Sequence, residues 1–321
     1  MNRFTIRVLI YMTIIFATFA INFFTVRYFS KFKINSDNSM LIVGASHTEC
    51  AFNDSLISDF YNYSASGEAY FYNYYKIKKI VEQNPQVNVV FIGFSNAQIV
   101  KDMDNWIWDD NHLSYKFPSL GSFLEWNDYL LLFRNNREGF VKILSMFLQN
   151  NVDVAIKGFR SNVEGGYFYL ERDKTDSLVI ALDNLRDSIK VAADIENHEL
   201  SYTNVDYLEK MVNFCKENNV KPYLIRSPLH EKYEGYNNES IFQMILSTRF
   251  SDVDFLDLSK YPLHNSEFGD FDHLNYKGAE RFSVWFDKLL KDGLLNKTDK
   301  QSFINERINE ENIFFRNELI D

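Results

Sequence analysis

Two short apolar runs restrict the architecture of this chain more than any other feature. Met40-Leu-Ile-Val-Gly44 and Val87-Asn-Val-Val-Phe-Ile-Gly93 each end in glycine. Such near-continuous runs belong to strands covered on both faces, as in a parallel sheet between two helical layers. The residues between them fit that plan. Asn53-Asp54 is suited to cap a helix over Ser55 to Asp59, Tyr61 to Ser64 is a weaker strand, and Glu68 to Glu82 is a Tyr-rich helix stopping before Asn84-Pro85. The alternation resumes after residue 200. Thr203 or Asn204 caps a helix striped with Val205, Leu208, Val212 and Cys215. Lys221 to Arg226 and Val253 to Leu258 are strands, with a helix near Ser240 to Thr248 between them. Asn275 then caps a helix carrying Ala279, Phe282, Phe286 and Leu289, which ends at Asp292-Gly293. The β-α-β order predicts an α/β fold with a doubly wound parallel sheet.

About a hundred residues, Lys101 to Leu200, break this rhythm. A structureless loop of that length is uncommon in a compact domain, so the segment reads as a helical insertion. At the other extreme, Val8 to Val26 is 19 residues without a charge, long enough to approach the ~30 Å hydrocarbon core of a bilayer. A cleaved signal peptide is the rival reading. The apolar run, however, continues through Ile21 to Phe24, past the small-residue site at Ala17 to Ala20. Residues 1–33 are therefore expected to be a single-pass signal anchor in an inner or plasma membrane, contacting lipid through residues 8–26. Residues 34–292 form the α/β domain with its insertion at about 101–200. Residues 293–321 are a charged tail in which Phe303, Ile304, Ile308, Phe314 and Phe315 are available for docking.

The charges flanking the run, Arg3 and Arg7 against Arg27, Lys31 and Lys33, are nearly balanced, and the seven-residue tail before a long domain suits a signal anchor that leaves the large domain outside the cytoplasm. The first 33 residues carry five basic and no acidic side chains, which leaves 29 basic against 44 acidic residues in the remainder. An acidic domain does not suit nucleic acid, whose phosphates need clustered Lys and Arg. The two cysteines, Cys50 and Cys215, lack the spacing of a zinc or redox site and cannot make a disulfide scaffold. His230, His264 and His273 also fit no metal-ligand spacing, so no metal is expected.

In an open parallel sheet, reactive groups gather beyond the carboxyl ends of the strands. The first junction reads Gly44-Ala45-Ser46-His47, a serine directly after a strand and near a helix start. Helix capping is the commoner use of such a serine, and nucleophilic attack the sharper one. The last junction reads Gly269-Asp270-Phe271-Asp272-His273-Leu274-Asn275, an Asp-x-x-His pair just ahead of a capped helix. A serine nucleophile needs a base, and the base needs an acceptor that orients it. A second Asp-x-x-His pair, Asp109 to His112, has no capped helix after it, and that difference separates the two.

Ser46 after the first strand, with Asp270-x-x-His273-Leu-Asn-x-x-Gly-Ala before the last helix, resembles the SGNH (GDSL-like) hydrolase superfamily. Two further family blocks fall in order. Gly67 matches the glycine whose backbone serves the oxyanion hole. Gly93-Phe-Ser-Asn96 matches the asparagine block, with Ser95 at the family's asparagine position and Asn96 one place later. The resemblance implies a flavodoxin-like three-layer α/β/α sheet and a serine-based acyl-ester chemistry. Ser46 would be nucleophile, His273 base and Asp270 its orienting partner, with Ser46, Gly67 and Asn96 forming the oxyanion hole and no cofactor required. The single-span plan is similar to family members that work beside membrane-bound O-acyltransferases in alginate acetylation and teichoic-acid D-alanylation. That similarity implies an O-acyltransferase or acetyl-esterase acting on a cell-surface polysaccharide. An acylated glycan or acyl donor would be substrate and a membrane-bound O-acyltransferase the partner. A non-catalytic protein of the same fold that binds a glycan or a partner is the alternative.

Further candidates for substrate binding are His47, beside the nucleophile, Arg226 and His230 after a later strand, and Trp106 and Trp108 in the insertion. Exposed indole faces can stack on sugar rings, and core packing is the commoner use of Trp.

Overall fold

The computed structural model describes residues 3–161, 163, 165–188 and 199–318, with backbone alone for 183–188 and 314–318. Strands β1 (Met40–Val43), β2 (Phe60–Asn62), β3 (Val89–Gly93), β4 (Lys221–Arg226) and β5 (Phe255–Asp257) form one all-parallel sheet in the order β2-β1-β3-β4-β5. Side-chain alternation explains the unbroken apolar runs. Leu41, Val43, Val90, Ile92 and Leu224 enter one core, whereas Ile42, Phe91, Tyr223, Ile225 and Leu256 enter the other. Both sheet faces are therefore covered, and a polar residue on either would be buried.

Helices α1 (Arg3–Phe29), α2 (Ser46–Ala51) and α3 (Tyr70–Gln83) precede the insertion, which holds α4 (Asn105–Trp108), α5 (Asp110–Leu120), α6 (Trp126–Asn135), α7 (Arg137–Ile156) and α8 (Thr175–Ser188). The chain ends with α9 (Tyr202–Glu217), α10 (Glu239–Arg249), α11 (Tyr276–Lys291) and α12 (Lys300–Glu318). The first core is shared with α3 and α9, the second with α11 and α12, where Ile304 and Ile308 dock. The side chains of Phe314 and Phe315 lie outside the described residues. Asn275 caps α11 by accepting from the backbone N–H of Lys277 and Gly278.

Two helix starts differ from expectation. Neither Thr203 nor Asn204 caps α9; Ser201 does, its hydroxyl accepting from the Asn204 N–H. Asn53 does cap, but only a single 3-10 turn, Asp54–Leu56, because Asp59 (φ 56°) turns the chain directly into β2. The helix after β1 begins instead at Ser46.

The sheet order reverses between β1 and β3, so their carboxyl ends flank the crevice where doubly wound sheets place ligands. Two glycines let the backbones close there. A Cβ on Gly44 would stand 2.4 Å from Thr48 Oγ1 and 3.3 Å from Gly93 Cα. Tyr70 fixes the same point from α3, its hydroxyl donating 2.7 Å to the Gly93 carbonyl.

The insertion leaves and returns at one place. Val100 and Leu200 pair as an isolated antiparallel bridge, and the Lys101 N–H donates to the Glu199 carbonyl at 2.7 Å. Residues 189–198 of the segment lie outside the described residues. The segment is not helical throughout. Between α7 and α8 an irregular strap, 165–174, crosses back over the domain. Its Phe168 N–H donates to the Glu49 carbonyl on α2, and its Leu170 carbonyl accepts from the Tyr276 N–H at the start of α11.

Among the described residues α1 is the one helix long and apolar enough to cross a membrane, with mean hydropathy 2.0. Residues 3–18 are exposed along their whole length. Beyond them the helix docks. Phe19 and Phe23 meet Phe147 of α7 at 6.2 and 6.4 Å between ring centres, and Val26 is buried.

Candidate functional site

The serine after β1 and the histidine before α11 meet at the sheet's carboxyl edge. Ser46 Oγ lies 2.8 Å from His273 Nε2, and His273 Nδ1 lies 2.8 Å from Asp270 Oδ1. The same Asp270 oxygen accepts the His273 backbone N–H at 2.9 Å, which locks the loop in the shape that aims the ring. The loop is also closed by the Gly269 N–H donating 2.8 Å to the His273 carbonyl. Hydrogen bonds at both ring nitrogens define the needed tautomer: Nδ1–H donates to Asp270, leaving Nε2 to receive the serine proton.

Three neighbours extend this row, of which His47 was expected at the site and Asp272 and Arg172 were not. Asp272 lies between two imidazoles, Oδ1 at 3.1 Å from His273 Nδ1 and Oδ2 at 3.2 Å from His47 Nε2. His47 crosses His273 edge-on with ring centres 5.3 Å apart. Arg172, from the strap, donates to Asp270 Oδ2, and its Nη2 stands 3.4 Å from His273 Nδ1. Arg172 carried no signal in the sequence, because nothing local ties residue 172 to residue 270.

The electrostatics follow from this packing. Burial pushes the His273 value down, but the hydrogen bonds and charges of Asp270 and Asp272 outweigh it and raise the group to about 9. Asp272 moves the other way. Burial would raise it, yet its bonds to His273 and His47 hold it well below the usual carboxylate range. Cys50, one turn along α2 from Ser46, is pushed up to about 12 chiefly by burial and is therefore a buried thiol, not a competing nucleophile.

The remaining expected residues divide. Gly67 takes φ +68°, which favours glycine, in a turn tied to the nucleophile's junction by the Ala65 N–H donating 3.1 Å to the Gly44 carbonyl. Asn96 is not brought to the site. It is fully buried, its amide N–H groups donate to Asn238 Oδ1 at 3.0 Å and Glu239 Oε2 at 2.7 Å, and its oxygen accepts from Arg226. An amide so engaged has no hydrogen left for an oxyanion. Arg226 is equally committed, bridging Asp257 and Glu239 while 4% exposed, and does not face the crevice. His230 is also buried, with Nε2 at 3.0 Å from Asn265 Oδ1, and supports the backbone of the 269–273 loop through its N–H to the Phe271 carbonyl. Trp106 is half-buried and stacks on His112, with ring centres 5.3 Å apart. Trp108 packs against the first core.

His47, Asp272 and His273 place their ligand atoms within 4.8 Å of one another, the one such cluster among the described residues. A cation there would have to displace the hydrogen bonds in which Asp272 already serves both rings. The crevice itself is tight, with a volume of about 10 Å³ between Ala45, His47, Gly93, Ser95 and Ser227. A cavity of about 630 Å³ lies away from Ser46 between α5 and α7, reaching Glu68 and Lys116. The hydrogen-bonded row marks the chemistry here, because volume carries no reacting group.

One family model, without a functional description, matches residues 170–295. That is less than half of the chain, and it contains Arg172, Asp270, Asp272 and His273 but not Ser46. No curated protein matches the chain.

Proposed function

We propose that this protein is a membrane-anchored, SGNH-like acyl-ester enzyme whose large domain lies on the extracytoplasmic side. It would serve as an O-acyltransferase or acetyl-esterase on a cell-surface polysaccharide. The observation that carries the reading is the unbroken row Ser46–His273–Asp270, assembled from junctions 227 residues apart. In the reaction Ser46 Oγ attacks the ester carbonyl carbon and its proton passes to His273 Nε2. The tetrahedral intermediate collapses, the C–O bond to the leaving alkoxide breaks, and that alkoxide takes the proton from His273. Water or a sugar hydroxyl then gives its proton to His273 and attacks acyl-Ser46; the second intermediate collapses, the Ser46 Oγ–acyl bond breaks, and His273 returns the proton to Ser46 Oγ as the free acid or the acylated sugar leaves. The N–H groups of Ser46 and Gly67 are the oxyanion donors, each worth on the order of 3 kcal/mol in the transition state.

A second reading, a binding protein that kept the fold, is favoured by the closed crevice and by Arg172 engaging Asp270. Fluorophosphonate labelling of the full chain in detergent separates the two. An adduct on Ser46, lost in Ser46→Ala and His273→Ala, is the expected result. A folded chain that stays unlabelled would move the assignment to the binding protein.

A further inference from the structure

The contacts of α1 give the direction of the two helices it packs against. On α7, Phe147 meets Phe19 at 6.2 Å between ring centres and Phe159 meets Phe29 at 5.6 Å, so α1 and α7 run the same way. On α6 the order is reversed. The Leu124 carbonyl, just before α6, accepts from Arg27, and Tyr129 within it meets Phe23 at 6.4 Å. The turn joining α6 to α7 therefore lies on the side of the apolar, N-terminal half of α1. We propose that this hairpin tip, Phe133 to Lys142, is a second membrane contact. Phe133 and Val141 enter the acyl-chain boundary, and Arg134 and Arg137 bind the phosphates of anionic lipid. The inference rests on the membrane-anchored reading of α1 and is independent of the chemistry at Ser46.

The uncharged run Val8 to Val26 puts the bilayer boundary at about the docked turn of α1. Val141 lies about 9 Å beyond Phe147 toward the bilayer, at 1.5 Å per residue. The tip is built for that depth. Phe133 is 40% and Val141 59% exposed, with Arg134 and Arg137 exposed beside them. Single exposed apolar side chains are ordinary on a water-facing surface. These two stand at the corner that the helix directions turn toward lipid. Arg137 and Val141 share a face of α7, and the Arg137 guanidinium stands 5.7 Å from the Phe133 ring centre.

Charge points to the same occupant. Residues 133–142 hold Arg134, Arg137 and Lys142 against Glu138, in a domain with 29 basic and 44 acidic residues. Lys142 stands 3.7 Å from Asp110, at the start of the helix α5 that Asp109 caps although none was expected there. Among the described residues neither arginine is in an ion pair. Their long stems let the guanidinium groups reach lipid phosphates while the apolar neighbours go deeper.

The test reads the depth of a fluorophore on the full chain, reconstituted in phosphatidylglycerol–phosphatidylcholine vesicles whose acyl chains carry bromine as a contact quencher. Cys50 and Cys215 are buried, so a maleimide dye reports one introduced cysteine. Val141→Cys is compared with Ile14→Cys in the span and with Met244→Cys, exposed on α10. Quenching of about twofold or more is expected at 141 and 14, and none at 244. Arg134→Glu with Arg137→Glu is expected to cut the quenching at 141 by about half or more and to leave 14 unchanged. Quenching at 14 without quenching at 141 overturns the contact and hands this face to a protein partner. Equal quenching at 141 and 244 overturns it likewise. Quenching at 141 that survives the charge reversal overturns the lipid role of the two arginines. No quenching at 14 overturns the anchored reading, and the contact with it.

Discussion

At the scale of single residues, the position of Asp272 between His273 and His47 has a measurable consequence. His273 must be neutral to accept the Ser46 proton, and Asp270 and Asp272 together keep it charged up to about pH 9. Activity should therefore rise with pH, with a midpoint near 9 in kcat/KM. Asp272→Asn removes one of the two charges and should move that midpoint down by about one pH unit or more. Superimposable profiles for the two proteins would refute the assignment of Asp272. Stability has the opposite slope. The folded-state value of His273 lies above its ordinary 6.5, so its stabilising contribution is full below about pH 6.5 and is lost as pH rises through about 9. The Ser46–His273–Asp270 row itself could be read from sequence, because each residue sits at a local junction with its own turn or cap signal. Asn96 could not be separated from Ser95, since one residue of register decides which side chain enters the buried Arg226 cluster. Arg172 stayed hidden for another reason. It pairs with a partner distant in sequence, Asp270, and no local pattern encodes that pairing.

Among the elements, the strap at 165–174 makes the insertion part of the site instead of a separate cap. The helical rhythm expected across 101–200 holds for α4 to α8 and fails here, where Gly158 and Gly166 take positive φ and the described residues form no helix. Its backbone binds Ser64, Glu49 and Tyr276, and Tyr169 stacks on Tyr276 with ring centres 4.7 Å apart. These contacts hold Arg172 against Asp270. Gly165→Ala tests the coupling without touching a catalytic group. The new Cβ would lie 2.6 Å from the Tyr63 carbonyl oxygen, a backbone atom that has little room to yield. The strap should lift, opening residues 160–175 to limited proteolysis and slowing labelling of Ser46 on the order of 10- to 100-fold. Faster cleavage with an unchanged labelling rate would show that the strap is a passive cover.

Across the whole molecule, the N-terminal helix does more than pass alongside the domain. Its exposed part, residues 3–18, is about 24 Å long at 1.5 Å per residue, shorter than a ~30 Å hydrocarbon core. If α1 crosses a membrane, some of the crossing must be made by the docked turn from Phe19 to Val26. That brings α7 and the Gly121–Leu124 segment to the bilayer surface. The domain in turn depends on that docked segment. Val26 and Phe32 are buried in the first core, and Arg27 donates to the carbonyls of Ser122 and Leu124, both at 2.9 Å. A fragment beginning at Ile34, the obvious cut from hydropathy alone, discards all three. Burying a Val or Phe side chain is worth about 1.5–3 kcal/mol, so this cut should cost about 3–6 kcal/mol before the lost hydrogen bonds are counted. A fragment beginning at Thr18 keeps these contacts. Its thermal midpoint, measured in the same detergent, should exceed that of the Ile34 fragment by several degrees at least. Equal midpoints would mean that the helix is a detachable tether and that the surface of α7 around Phe147 is stable without it.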